Sequence, residues 1–402
     1  MSLAETVAEA PSVAPPSTKP VAVPAAGTSE SLLAIPDFRL LLAVQVLFWS
    51  SSSVFLMLPK YLALQFHANA FWIGAVMGGL GMGAVLMAPA IGPLNRRWGR
   101  RRCLVLANLC MALGAFLFIG VHGPGPLAVF ARSLHGMAGA ILYAHGTVLV
   151  IDLVPRHRLP SAIALYMTAG LLPNVSSPPL AEWLLATHGP GLVFVSAGLL
   201  ALGGAALAWR LPDAAEMPAA TSEAGQAGRP AVALLAVSLL FGLAAGVVFT
   251  FHQPLALARG VQRVSDFLVA FTLTATALRL VGGGWIDHFG SGRVAFWTGA
   301  GYALVLLAMA AMGPGWLIPL GICFGATHGL FFPTFIAYAL SRGDGAAREV
   351  RMAWISAADK FGYLCVLPLG LVANAAGYEV LFVIAAALLA VGVFILRKSR
   401  EE

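Results

Sequence analysis

Long apolar runs separated by short polar breaks make up most of the chain. Each run is long enough for a helix that crosses a bilayer, which needs about 20 apolar residues. There are twelve, over residues 39–63, 70–93, 103–121, 126–151, 159–184, 190–209, 231–257, 265–286, 294–313, 315–340, 352–375 and 378–396. The pattern predicts an all-α integral membrane protein with 12 transmembrane helices.

One long polar break, between Pro212 and Pro230, divides the runs into two sets of six. The predicted organisation is therefore a disordered cytoplasmic tail over 1–35, a six-helix bundle over 36–210, a cytoplasmic linker over 211–230 and a second six-helix bundle over 231–397. The tail lacks the basic segment followed by an apolar segment that a secretory signal requires.

Composition excludes a soluble protein. Of 402 residues, 59% are hydrophobic and 10% are charged, whereas soluble domains have about 25% charged residues. With the N-terminus inside, 18 of the 24 basic residues fall on cytoplasmic segments and three fall outside. This bias predicts that both termini are cytoplasmic. It also accounts for the net charge of +7 without a nucleic-acid partner.

The two sets of runs carry related motifs 191 residues apart. The first copy follows the second run and contains Gly92, Arg96, Arg97 and Gly99. The second copy follows the eighth run and contains Gly283, Asp287 and Gly290. Six helices plus a linker give about this period, which is typical of a parallel repeat of two helical bundles.

These motifs resemble the signatures of the major facilitator superfamily over nearly the whole chain, from about residue 35 to residue 397. Arg132, followed by small residues in the fourth run, and Asp152 at its inner end are similar to further signatures of that family. The resemblance implies two bundles that rock around a central site. It is greatest to the drug and metabolite efflux type, and it implies that Arg132 acts in proton coupling or substrate binding.

Two departures from the family pattern change the expectations. Arg96 stands where the family has a carboxylate, and a charge-swapped latch between Arg96 and Glu349 is one hypothesis; the alternative is that the basic cluster only sets topology. In the fifth run, residues 177–182 replace the glycine-rich signature of antiporters, which leaves the direction of transport open.

Ionisable residues inside a bilayer are costly and are functional candidates by default. Arg279 and Asp359 each lie eight residues from the inner end of a run, at the same depth, so they are predicted to form an ion pair. The pair is either a protonation switch or a static contact that fixes helix register. Lys360, about 100° around the helix from Asp359, faces either the central cavity or the inner boundary.

Polar and aromatic residues of the cavity-lining helices predict the lining of a site for a medium-sized organic ligand. They are Gln45, Trp49, Tyr143, Asn174, His252, Gln253 and His328. The alternative for each residue is a structural role in helix packing.

The sequence therefore predicts a secondary active transporter, a monomer in the bacterial inner membrane that exports a small organic compound by proton-driven alternating access. One alternative is proton-coupled uptake of a small organic anion, and another is a transporter-like sensor that moves nothing. Neither a catalytic constellation nor metal-ligand spacing is present in the sequence, so we expect no enzyme activity, metal or cofactor.

Overall fold

The computed structural model describes residues 31–212, 232–281, 288–341 and 348–401. The predicted tail up to residue 30 and almost all of the predicted linker lie outside these ranges. The main helices are α1 (Pro36–Val54), α2 (Leu58–Phe66), α3 (Ala70–Met87), α4 (Ile91–Leu117), α5 (Pro126–Leu153), α6 (Leu159–Leu171), α7 (Pro173–Thr187), α8 (Pro190–Ala208), α9 (Val232–Ala258), α10 (Ser265–Val281), α11 (Ser291–Ala310), α12 (Leu317–Ser341), α13 (Arg348–Leu364), α14 (Val366–Ala376) and α15 (Tyr378–Glu401).

Nine helical stretches in the described part of the chain are long and apolar enough to cross a membrane. One of them, Ala70–Gly120, contains 51 residues. At 1.5 Å per residue it would be about 75 Å long if straight, far more than the roughly 30 Å of a hydrocarbon core. Gly99 interrupts it with φ +75°, so the stretch is long enough for two crossings.

The fifth and eighth apolar runs correspond to helices that are broken or short. The fifth run folds as α6 and α7, which meet at Pro173, and α7 also contains Pro178 and Pro179. Proline removes a backbone donor and so breaks the helical hydrogen-bond ladder. The eighth run folds as α10, which has 17 residues.

Each half of the chain packs mainly against itself. In the first half α4 packs on α5 and α8, α3 packs on α5, and α1 packs on α8. In the second half α10 and α11 pack on α12, α9 packs on α13, and α15 packs on α9 and α11. The halves meet where α3 contacts α13 and α14 and where α7 contacts α10.

The repeated motif turns the backbone in the same way in both halves. Gly99 has φ +75° and Gly290, 191 positions later, has φ +80°. This region of backbone space is open to glycine and strained for residues that carry a Cβ atom. Gly283 and Asp287 of the second copy lie outside the described residues.

Glycines allow the closest helix crossings. A Cβ atom on Gly83 would collide with the carbonyl oxygen of Ser133, and one on Gly136 would collide with that of Leu80, so α3 and α5 touch through their backbones. Small residues permit such an approach between membrane helices, where van der Waals packing replaces the hydrophobic effect.

We predict that Gly136→Ala lowers the free energy of unfolding by about 1–3 kcal/mol, because the added methyl group overpacks the crossing of α3 and α5. Gly139→Ala, three positions along the same helix, is the matched control, because its Cβ atom would meet no heavy atom within 4 Å. Thermal unfolding in detergent measures the difference. Equal loss of stability in both variants would contradict the close crossing.

Candidate functional site

The two halves are joined at one end of the molecule by a group of side chains that we call the clasp, formed by Lys60, Glu182, Gln253 and Ser265. Lys60 Nζ lies 2.7 Å from Glu182 Oε1 and also donates to the carbonyl oxygen of Gln262 at 2.5 Å. Lys60 and Glu182 belong to the first half and Gln262 to the second. The ammonium group therefore links the halves directly.

Glu182 links the halves a second time, at the N-terminus of α10. Its carboxylate accepts hydrogen bonds from the backbone N–H groups of Val264 at 3.0 Å and Ser265 at 3.2 Å, and from the Ser265 hydroxyl. A carboxylate is favoured there because the first N–H groups of a helix lack partners and carry partial positive charge. Glu182 on α7 thus caps a helix of the other half.

Gln253 completes the clasp. Its Nε2 donates to the carbonyl oxygen of Leu56 at 2.5 Å, and its Oε1 accepts from the backbone N–H of Lys60 at 3.1 Å. Nearby, the backbone N–H of Ala70 donates to Asn374 Oδ1 at 2.8 Å. Between residues that the structure describes, the hydrogen bonds that link the two halves all lie at this clasp end.

The opposite end carries the basic motif and is called the basic end. There Arg100 forms an ion pair with Asp152, which ties α4 to α5 within the first half. Gly92, Arg96 and Arg97 are exposed. The hypothesis of a latch between Arg96 and Glu349 cannot be placed, because the side chain of Glu349 lies outside the described residues.

The predicted ion pair between Arg279 and Asp359 is not formed. Asp359 instead accepts a hydrogen bond from its neighbour Lys360, with Nζ 2.8 Å from Oδ2, and Arg279 Nε donates to the carbonyl oxygen of Gly329 at 3.1 Å. The reason is packing. Helix α10 packs on α7 and α12 while α13 packs on α9 and α3, so equal depth does not make these helices neighbours.

Tyr143, Arg279 and Lys360 border a space between the two halves. Tyr143 is 47% exposed although it lies near the middle of α5, and its phenol interacts electrostatically with both cations of the other half. Gly139, one turn away on the same face, has open space where a Cβ atom would stand. These observations define a central cavity, whose titratable residues Tyr143, Arg279, His328, Asp359 and Lys360 we call the core cluster.

Arg132 lies on the same face of α5, 11 residues from Tyr143 and towards the clasp end. Its side chain is 97% buried, since the residue is 3% exposed. One guanidinium nitrogen lies 3.3 Å from His135 Nδ1, the group stands 5.8 Å from the centre of the Phe55 ring, and Nε has no hydrogen-bond partner. In the described part of the chain no carboxylate pairs with it, and its one cross-half electrostatic contact is Tyr363.

Four predicted cavity residues lie in helix contacts within one half. Gln45 Nε2 donates to the carbonyl oxygen of Tyr166 at 3.5 Å, and Trp49 packs beside Gly170 of α6. Asn174 Oδ1 accepts from Ser53 Oγ at 2.5 Å, and His252 Nδ1 lies 2.6 Å from the carbonyl oxygen of Val248. Gln45 and His252 are also buried, which corrects the prediction that they line the central cavity. For the half-buried Trp49 and Asn174 a place in the lining stays a prediction.

Of the remaining predicted cavity residues, Gln253 belongs to the clasp and His328 to the core cluster. The His328 ring stacks on Phe324 at 4.6 Å between centroids, interacts electrostatically with Arg279 and Lys360, and has an unpartnered Nδ1. Among the described residues no group of three or more His, Cys, Asp or Glu side chains is placed to hold a metal ion.

Sequence reasoning missed the clasp. Its only signal was that Lys60 and Glu182 are isolated charges near the ends of apolar runs. Their pairing spans 122 residues, and the cap that Glu182 forms on α10 depends on the packing of α7 against α10. The sequence pattern gives neither contact.

Comparison with known proteins agrees with this architecture. The family model of the Major Facilitator Superfamily matches residues 40–344 and 261–402. The inner membrane transport protein YdhP of Escherichia coli strain K12 is 27% identical over 183 residues, which cover 44% of this chain. The match spans 46% of the length of that relative.

Solved structures share the fold at low sequence identity. The nucleoside transporter NupG superposes with a TM-score of 0.70 at 17% identity, covering 91% of this chain and 98% of that one. A D-xylose–proton symporter gives a TM-score of 0.70 at 15% identity, covering 88% and 96%.

We predict that Glu182→Gln opens the clasp end. The neutral amide loses the ion pair with Lys60, and hydrogen bonds to charged groups are worth about 1.5–3 kcal/mol, so the separated population should rise at least about tenfold. Spin labels on the exposed residues Gln65 and Arg263 report this separation by pulsed electron resonance.

Glu379→Gln is the matched control for this experiment, because Glu379 pairs with Arg259 inside the second half at 2.9 Å. It should leave the distance distribution unchanged. An unchanged distribution in Glu182→Gln would show that the clasp does not hold the halves together.

Proposed function

The chain belongs to the Major Facilitator Superfamily, and on this premise we propose that it is a secondary active transporter of a small organic solute that works by alternating access. The observation that carries the proposal is the core cluster. Its cations and carboxylate lie within apolar runs predicted to cross the membrane, and Tyr143, Arg279 and Lys360 are open to the space between two halves that are clasped at one end. Charge in a membrane helix is costly, and residues that carry it are by default candidates for a functional role.

We further propose the topology predicted from the sequence: 12 transmembrane helices, bundles over 36–210 and 231–397, and both termini in the cytoplasm of a bacterial cell. The positive-inside rule then makes the basic end cytoplasmic. On that orientation the clasp closes the outer side, and the cavity faces the cytoplasm. One chain supplies both halves of the cavity, which supports a monomer as the working unit.

Asp359 is proposed to couple transport to protons. Among the described residues it is the one carboxylate that lies away from the ends of the membrane runs. It is 7% exposed and paired with Lys360. A buried carboxylate that loses its cation binds a proton more readily, so movement of Lys360 would change the protonation of Asp359. The alternative is a static pair that fixes the position of α13.

Export is the direction that the resemblance to efflux-type transporters supports. Uptake together with protons is the second candidate, and one observation favours it. The membrane core contains Arg132, Arg279 and Lys360 but a single described carboxylate, which suits an organic anion. The D-xylose–proton symporter shows that a protein of this fold couples a solute to protons.

Metabolite profiling of cells and medium tests the proposed function. We expect at least one compound to differ between cells that express the unmodified protein and cells that express Asp359→Asn, because the amide cannot exchange a proton. Depletion inside with enrichment outside establishes export, and the reverse establishes uptake. Proton-coupled transport retained by Asp359→Asn would remove Asp359 from the coupling role.

The Arg132 proposal predicts a difference between two substitutions. Arg132→Ala should reduce transport at least about tenfold, the equivalent of 1.4 kcal/mol, because it removes a buried cation on the cavity face. Arg132→Lys keeps the charge and should retain most of the activity. Initial transport rates at equal protein levels measure both, and equal activity in all three proteins would exclude a role for the charge.

A further inference from the structure

We propose that Arg279, Lys360 and Tyr143 form a binding site for the negatively charged oxygen group of the transported solute, a carboxylate or a phosphate ester. The proposal rests on the proposed transport function and specifies the class of its substrate. It goes beyond the fold, because the solved neighbours share the fold whatever they carry.

Charge imbalance is the first argument. Counting only charges at least six residues from the ends of the membrane runs, three cations, Arg132, Arg279 and Lys360, accompany one described carboxylate, Asp359. A charge at the centre of a membrane helix is costly. In the described part of the chain Arg132 and Arg279 have no carboxylate partner, so an anionic solute would offset a cost that the protein itself leaves uncompensated.

The free donors are the second argument. Arg279 uses Nε for the carbonyl oxygen of Gly329, and the structure assigns no hydrogen bond to its two terminal nitrogens. The residue is exposed at the cavity, and a guanidinium edge binds two oxygens of a carboxylate or phosphate at once. Lys360 has a side chain that is 49% exposed, and one of its three protons points to Asp359. Each residue therefore keeps unused donors on the cavity side.

Tyr143 supplies the contribution of the first half. Its phenol is close enough to interact electrostatically with Arg279 and with Lys360, and all three residues are exposed, so we place both cations at the same cavity as Tyr143. A solute oxygen bound there would contact both halves of the protein. Such a contact can report the presence of the solute to the halves that must move.

The other titratable groups around the cluster add no negative charge at neutral pH. They are two tyrosines that interact electrostatically with Asp359 and a histidine beside Arg132, namely Tyr302, Tyr363 and His135. His328 within the cluster is a histidine and carries no negative charge either. The field in the cavity is therefore positive. A neutral solute would leave the cations unpaired and an amine would be repelled.

Charge-selective labelling of a cysteine in the cavity tests the proposal without knowledge of the natural substrate. Gly139→Cys is introduced after the four native cysteines have been replaced by alanine, and it is reacted with an anionic or a cationic methanethiosulfonate reagent. Gly123→Cys, a glycine outside the helices with equally open space, is the matched control. The anion-to-cation rate ratio should be at least about tenfold higher at Gly139→Cys.

Arg279→Gln and Lys360→Gln should each lower that ratio towards the control value, whereas Arg259→Gln at the exposed clasp end should not change it. Equal ratios at Gly139→Cys and Gly123→Cys, or no reaction at Gly139→Cys, would overturn the proposal. Thr147→Cys, one turn beyond Tyr143, provides a second position should the first variant fail to fold.

The same thiol separates the two sources of the anionic group. Protection by benzoate would assign a carboxylate, protection by phenyl phosphate would assign a phosphate ester, and stronger protection by benzylamine would contradict an anion site. The reaction rates depend on the charge of the cavity and not on turnover. A protein that transports nothing but shows the predicted ratio would therefore refute the proposed function and leave the anion site intact.

Discussion

The cost of charge in a membrane is the constraint that organises this protein. Asp359 is buried, and the ammonium group of Lys360, the next residue, lies 2.8 Å from its carboxylate. Lys360 in turn lies at the wall of a cavity that Tyr143 shares with Arg279. The membrane would exclude these groups from any position without water or partners, so their presence defines where the two halves separate.

The bonds that the structure describes differ between the two ends of the molecule. At the clasp end a carboxylate of one half satisfies the first N–H groups of α10 in the other half. At the basic end the described ion pair of Arg100 with Asp152 stays within one half. The clasp therefore holds the halves together at one end, whereas residues 282–287 and 342–347 at the opposite end lie outside the described ranges.

Much of the fold could be predicted from the sequence because helix length and polarity are local properties. The apolar run at 126–151 corresponds to α5 at Pro126–Leu153. The two motifs that are 191 residues apart each contain a glycine with a similar positive φ angle. Depth along a helix could also be predicted. Depth does not identify which helices are neighbours. The predicted ion pair of Arg279 with Asp359 is wrong for this reason, because α10 and α13 pack on different partners.

The clasp could not be predicted either, because the sequence does not show which helices are neighbours. Lys60 and Glu182 are 122 residues apart, and the N-terminus that Glu182 caps is a further 82 residues along the chain. No local pattern marks such a contact, since each residue alone looks like a charge at the edge of a membrane run. Tyr143 and Gly139, by contrast, are four residues apart, so the sequence itself places them on one helical face.

The central claim is that one cavity opens alternately to the two sides of the membrane. The most direct measurement is the labelling of Gly139→Cys by an impermeant maleimide in right-side-out and in inverted vesicles, with and without Glu182→Gln. With the clasp intact, we expect the reagent to label Gly139→Cys from the cytoplasmic side. With Glu182→Gln, we expect labelling from the outer side to rise and labelling from the cytoplasmic side to fall by a similar amount. Access that rises from both sides together, or access from neither side, would contradict this claim.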